Sequence, residues 1–178
     1  VTTTGNLPAH VDNSTLPAFP PVRNQEQLGS CTSFSVTYYV ATHMTGLARG
    51  WNNKNEDNST KFSPKWTYSM VNGGANNGSH WSRTFEFLLK HGAASWADFP
   101  YDGQVKFENY LEWSLNPEVW RKAIHYRLKN SGTISDVHTE AGLNNVKSLL
   151  ANGYVLNFSS DIYGWEFVTI KDDPNTPN

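Results

Sequence analysis

The chain has a single cysteine, Cys31, among 178 residues. One cysteine excludes an internal disulfide and a cysteine-rich zinc site, and no cofactor or metal is expected. Charge is also scarce. Lys and Arg number 14 and Asp and Glu 16, so the net charge is −2. No basic run occurs, which argues against a nucleic-acid partner. No apolar stretch approaches the roughly 18 residues that would cross a bilayer, so no membrane span is expected. No signal peptide begins the chain, and Val1-Thr2-Thr3-Thr4 reads as a trimmed start. Histidine is absent after His138. What is present is apolar and aromatic content of 38% and 13%, enough to build a core in one domain, or in one and part of another.

The cysteine stands in a telling place. Pro21-Val22-Arg23-Asn24-Gln25-Glu26-Gln27-Leu28-Gly29-Ser30 leads into Cys31, and Phe34, Tyr38, Ala41 and Met44 then fall at helical spacing, with Gly46 as a stop. A helix from about Ser30 to Thr45 puts Cys31 in its first turn, where unpaired amides and the helix dipole favour an anion. That setting suits a thiolate nucleophile. Gln25, on the preceding loop, can bring its amide to the same point. With the Cys31 backbone amide it would form an oxyanion hole. A lone cysteine is otherwise most often a buried, inert one; Gln25 and the helix start reverse that reading.

This run resembles the active-site segment of the papain-like cysteine peptidases. The chain keeps Asn24-Gln25, Gly29-Ser30-Cys31 and Phe34-Ser35. It departs at Leu28, where disulfide-bearing members carry cysteine, at Thr32, where an aromatic is usual, and at Glu26, where glycine is common. The departures point to a disulfide-free, bacterial-type branch. Further blocks support the likeness: Leu7-Pro8-Ala9-His10-Val11-Asp12, Phe62-Ser63-Pro64-Lys65-Trp66-Thr67-Tyr68, Asn77-Gly78-Ser79-His80, and Phe99-Pro100-Tyr101.

The resemblance implies an α+β fold with a helical left domain around a central active-site helix, and a β-barrel-like right domain of which this chain holds the first part. Residues 1–116 would form the mainly helical half with an extended start, and residues 117–178 the beginning of the β half. It also implies a cysteine endopeptidase that hydrolyses peptide bonds through a Cys31 thioester. Gln25 would hold the oxyanion, the Gly78–Ser79 edge would bind the substrate backbone, His80 would line a subsite, and Phe158 would either help shape an apolar pocket or take an ordinary core position.

Elements follow from local signals. Pro8, Pro17, Pro20 and Pro21 make residues 1–29 extended, and residues 50–60 read as a polar loop. Helices are expected near Pro64–Val71, Ser82–His91, from Pro117 through Leu128, and from Thr139 to Asn152-Gly153. Residues 102–116 read as irregular. Tyr154–Ser160 reads as a strand, Trp165–Ile170 as its continuation, and residues 171–178 as an exposed tail. Four Asn-x-Ser/Thr matches occur, at Asn13, Asn58, Asn77 and Asn157, and in so Asn-rich a chain chance accounts for most.

A catalytic base is harder to find. The family's histidine and asparagine fall about 130–150 residues after the cysteine, a window that opens near Asp161 and runs past Asn178. His43 lies roughly 18 Å along the helix from Cys31, at 1.5 Å per residue. His91 sits at a helix end beside Gly92, His125 and His138 read as surface residues, and His10 belongs to the extended start. The base is therefore expected from a C-terminal companion chain of the same precursor or from a missing C-terminal part. Two other functions compete: a catalytically inactive binding module for peptide or glycan, and a thiol acyltransferase sharing the acyl-enzyme. The expected partner is a peptide or protein substrate. Low charge with abundant Asn and Trp resembles secreted bacterial proteins, giving an expected location outside the cell or at its surface.

Overall fold

Proline governs the start of the chain. The computed structural model describes residues 7–164. Its prolines fix φ and remove amide donors, so residues 7–29 are extended and looped as expected, with a 3-10 turn at Asn13–Thr15 capped by Asp12 and further turns near residues 17–18 and 26–27. Asn13 Nδ2 donates to the Leu150 and Tyr154 carbonyls, each at 2.8 Å. The amino-terminal segment is thereby laced to the far end of the chain.

Helix α1 is continuous over three segments, Cys31–Ser33, Phe34–Ala41 and Thr42–Arg49, the middle one with the wider π pattern. Phe34, Val36, Thr37, Tyr38, Ala41, Thr42, His43 and Gly46 are all buried. An amphipathic helix would show one apolar stripe; this one is enclosed on several sides and runs through the centre of the molecule. Gly46 does not stop it. A Cβ there would lie 2.8 Å from Asn53 Nδ2 and 3.1 Å from Ala18 Cβ, so Gly46 serves close packing. The helix ends at Gly50, which takes the left-handed conformation at φ 68°.

Helix α2 (Pro64–Val71) starts on its proline, and α3 (Trp81–His91) ends on Gly92 at φ 74°, both as the sequence predicts. A Cβ on Gly92 would meet the Ala123 carbonyl oxygen at 1.9 Å, so no other residue fits. A short helix, α4 (Phe107–Tyr110), lies within the stretch expected to be irregular. Helix α5 (Pro117–Ala123) passes into a 3-10 turn, Ile124–Tyr126, and stops before Leu128. Helix α6 (Glu140–Ala151) begins on a Thr139 cap and ends at Asn152-Gly153 as expected.

Two apolar clusters hold these helices together. Trp66, Val71, Phe87, Ala94, Val119 and Ala123 form one, and Val36, Ala41, Phe62, Leu88 and Ala93 the other. Val119 and Ala123 belong to the segment that sequence assigns to the second half, yet they pack with α2 and α3. Among the described residues no helix is long and apolar enough to cross a membrane.

The expected α+β class is corrected. The described residues form helices, turns and loops with no strand, and the nearest approach to a sheet is one isolated antiparallel bridge between Phe62 and Ser95. The β-barrel-like part is therefore not present among them. Tyr154–Ser160 is irregular, because a strand exists only by pairing and this segment has no partner strand among the described residues. Its side chains make other contacts: Tyr154 to Asn157 are half-buried, and Asn157 Oδ1 accepts from Ser35 Oγ on α1. The predicted extension at Trp165–Ile170 and the tail at 171–178 lie outside the described residues.

Candidate active site

The loop before α1 is held from three directions. Gln25 Nε2 donates to the Leu28 carbonyl at 3.0 Å, which closes the loop on itself. Leu28 is buried at 1% exposure and anchors the loop from below. Tyr101 holds it from the side. Its hydroxyl donates to the Gln25 carbonyl at 2.6 Å, and with that proton used it accepts from Ser30 Oγ at 2.7 Å. Burial pushes the Tyr101 hydroxyl up to about 12, so it stays a neutral donor through the physiological range.

Glu26 has φ 55°, a left-handed conformation that costs a side-chain-bearing residue about 1 kcal/mol. Asn24 Oδ1 offsets the strain by accepting from the Glu26 amide at 2.8 Å.

Cys31 emerges exposed from this loop at the first position of α1. It shares a cavity of about 280 Å³ with Arg23, Gln25, Phe34, Ser35 and Tyr39. Gln25 spends one of its two amide hydrogens on Leu28, and the other remains for a ligand in that cavity. Arg23 lies with its guanidinium 4.3 Å from the Trp96 ring centroid and 5.4 Å from that of Tyr38, and donates to Asn58 Oδ1 at 2.6 Å. Burial raises the Tyr38 hydroxyl far enough that it too remains neutral.

The Gly78–Ser79 edge adjoins the start of α1, next to Cys31. Thr32 Oγ1, one residue past Cys31, donates to the Ser79 carbonyl at 3.0 Å. Asn76 Oδ1 accepts from the Gly29 amide at 2.8 Å and from the Tyr68 hydroxyl at 2.6 Å. Gly78 itself takes φ 88°, which glycine alone adopts freely. His80 is exposed, and its Nδ1 faces Ser82, accepting from the amide at 3.3 Å with the hydroxyl at 2.7 Å, so that it caps α3. It lines a second cavity, with Gly78, Ser79 and Arg83, and does not line the one that contains Cys31. Phe158 is 74% exposed and lines neither cavity, although its neighbour Asn157 reaches Ser35 on the cavity wall.

None of the six histidines lines the Cys31 cavity. His43 is buried, with Nε2 2.7 Å from the Gly153 carbonyl, and burial depresses its pKa. His91 packs against Phe87 and Trp120. Tyr101, Tyr68, Asn76 and Arg23 position the site, and sequence reasoning did not single them out as site residues. Arg23, Tyr68 and Tyr101 each lie within a quoted motif, so the signal was adjacency. Asn76 offered none.

No protein-family model matches the chain, and no curated protein sequence matches it significantly.

Proposed function

We propose that this chain carries the nucleophilic half of a papain-like cysteine endopeptidase. The observation that supports the reading is the shared cavity: Gln25 and Cys31 converge at the amino end of a long helix, with a spare amide hydrogen on Gln25. Cys31 Sγ attacks the peptide carbonyl, and the Gln25 amide with the Cys31 main-chain N–H receives the charge that develops on oxygen. The amine leaves with a proton from the general acid, and water hydrolyses the thioester. The acid and base is a histidine oriented by an asparagine, supplied by polypeptide outside residues 1–178 as a companion chain or continuation of the same precursor. The substrate is a peptide or protein, met outside the cell or at a bacterial surface.

The test uses the protein purified with everything that accompanies it. An intact mass of each species should reveal a polypeptide that provides the histidine and asparagine. Turnover of a denatured protein substrate, quenched with acid, should leave an acyl group on the 20.0 kDa chain. Cys31→Ser should remove both the acyl mass and the turnover. Full turnover in that variant would overturn the reading.

A further inference from the structure

We propose, resting on the peptidase reading, that the cavity beyond the Gly78–Ser79 edge receives an acidic side chain of the peptide substrate, with Arg83 as its counter-charge.

The cavity measures about 330 Å³, room for a glutamate side chain with water. Gly78, Ser79, His80, Ser82 and Arg83 form one side, and the end of α2 the other. Its position follows from the contacts already described. Thr32 Oγ1 to the Ser79 carbonyl, and Gly29 against Gly78, fix this edge beside Cys31. A peptide with its scissile carbonyl at Cys31 and its backbone along Gly78 therefore brings a nearby side chain to the cavity mouth.

The charge of the wall selects which side chain. Among the described residues Arg83 is the only formal charge lining the cavity, and no carboxylate faces it there. Among the described residues its guanidinium makes no ion pair and no side-chain hydrogen bond. Glu86, one turn along α3, feels Arg83 but is paired with Lys90 at 2.6 Å. His80 Nδ1 accepts from the Ser82 amide, so the neutral ring carries its proton on Nε2 as a second donor. The first turn of α3 adds partial positive charge of the same sign. Unused donors with one uncompensated cation favour a carboxylate, fit an amide less well, and repel an ammonium.

Alkylation of Cys31 by peptidyl acyloxymethyl ketones tests this. Sγ displaces the carboxylate leaving group, and the product is read by intact mass. The probes carry Glu, Gln or Lys at the second or third residue before the warhead. The same warhead on acetyl-glycine is the reference for peptide recognition. At one of the two positions Glu should react about fivefold faster than Gln, the equivalent of ~1 kcal/mol for an exposed charge pair. In Arg83→Gln the ratio should fall to about one, and in Arg83→Glu the Lys probe should become the fastest. Taking the ratio within each protein cancels any general change in thiol reactivity. Equal Glu and Gln rates at both positions in the unaltered protein would overturn the acidic subsite while leaving peptide recognition standing, provided the peptidyl probes outpace acetyl-glycine. Peptidyl probes no faster than acetyl-glycine would overturn both.

Discussion

Gly29 and Gly78 approach so closely that a Cβ on Gly29 would lie 3.0 Å from the Gly78 nitrogen and 3.1 Å from the Tyr68 hydroxyl. Gly29 precedes Cys31 by two residues, and Gly78 begins the edge that the proposed function assigns to a peptide. Their contact sets how near this edge lies to the loop before Cys31. Gly29→Ala should push the two apart, because the neighbours are backbone and a hydrogen-bonded phenol rather than a flexible side-chain tip. Overpacking of this kind costs about 1–3 kcal/mol. Urea denaturation should show that loss, and Cys31 should label more slowly with the peptidyl probes than in the unaltered protein. Unchanged stability would mean that the loop moves away freely.

Tyr101→Phe tests the clamp on the same loop. It removes the donor to the Gln25 carbonyl and the acceptor for Ser30 Oγ while keeping the ring, which packs edge-on to Phe34 at 4.9 Å between centroids. Two hydrogen bonds at ~0.5–1.5 kcal/mol each put the expected loss of stability at about 1–3 kcal/mol. On the proposed function turnover should fall with it, because the Gln25 main chain loses the Tyr101 bond and only the Leu28 contact holds its side chain. Hydrogen exchange of the loop amides at 25–30 should rise more than exchange in α2. Uniform acceleration across the chain would indicate global destabilisation instead.

The helices were legible because their ends are written in single residues: Pro64 and Pro117 at starts, Thr139 as a cap, Gly92 and Gly153 at stops. Gly46 misled because glycine ends helices and also admits close neighbours, and only the position of Asn53 and Ala18 distinguishes the two. The Tyr154–Ser160 strand misled because apolar content specifies burial, whereas pairing depends on a partner far along the chain. Cys31 and Gln25 were legible as a local motif. The hold that Tyr101 and Asn76 exert on them was not, since it depends on residues 47 and 71–76 positions away in sequence.

Gln25→Ala and Cys31→Ser separate the two roles assigned to the site. Cys31→Ser should abolish turnover and leave the unfolding transition in place, because Cys31 is exposed and the hydroxyl occupies less space. Gln25→Ala should lower kcat by about 10²-fold, the size expected for one oxyanion donor. It should change KM little, since the interaction strengthens only in the transition state. A large rise in KM with kcat preserved would assign Gln25 to substrate binding instead.

His43 gives the fold a calculable sensitivity to acid. Its ring is buried on α1 with Nε2 on the Gly153 carbonyl, Nδ1 without a partner, Phe19 edge-on at 5.7 Å, and Lys54 adding a like charge. Burial holds its pKa below the ordinary value of 6.5. Between those two values the unfolded chain binds a proton that the folded chain refuses. Unfolding therefore takes up protons, and stability rises with pH across that window. Above 6.5 the group is neutral in both states and contributes no slope. Going down from 6.5, stability should fall by at most ~1.4 kcal/mol per pH unit from this group, and the slope should vanish below its folded pKa. His43→Gln retains a donor for Gly153 without the titration. Its urea midpoint should vary less than that of the unaltered protein between pH 7.5 and pH 5, the carboxylates being common to both. Parallel profiles would show that His43 protonates without resistance, and that the helix-to-Gly153 contact opens before the rest of the fold.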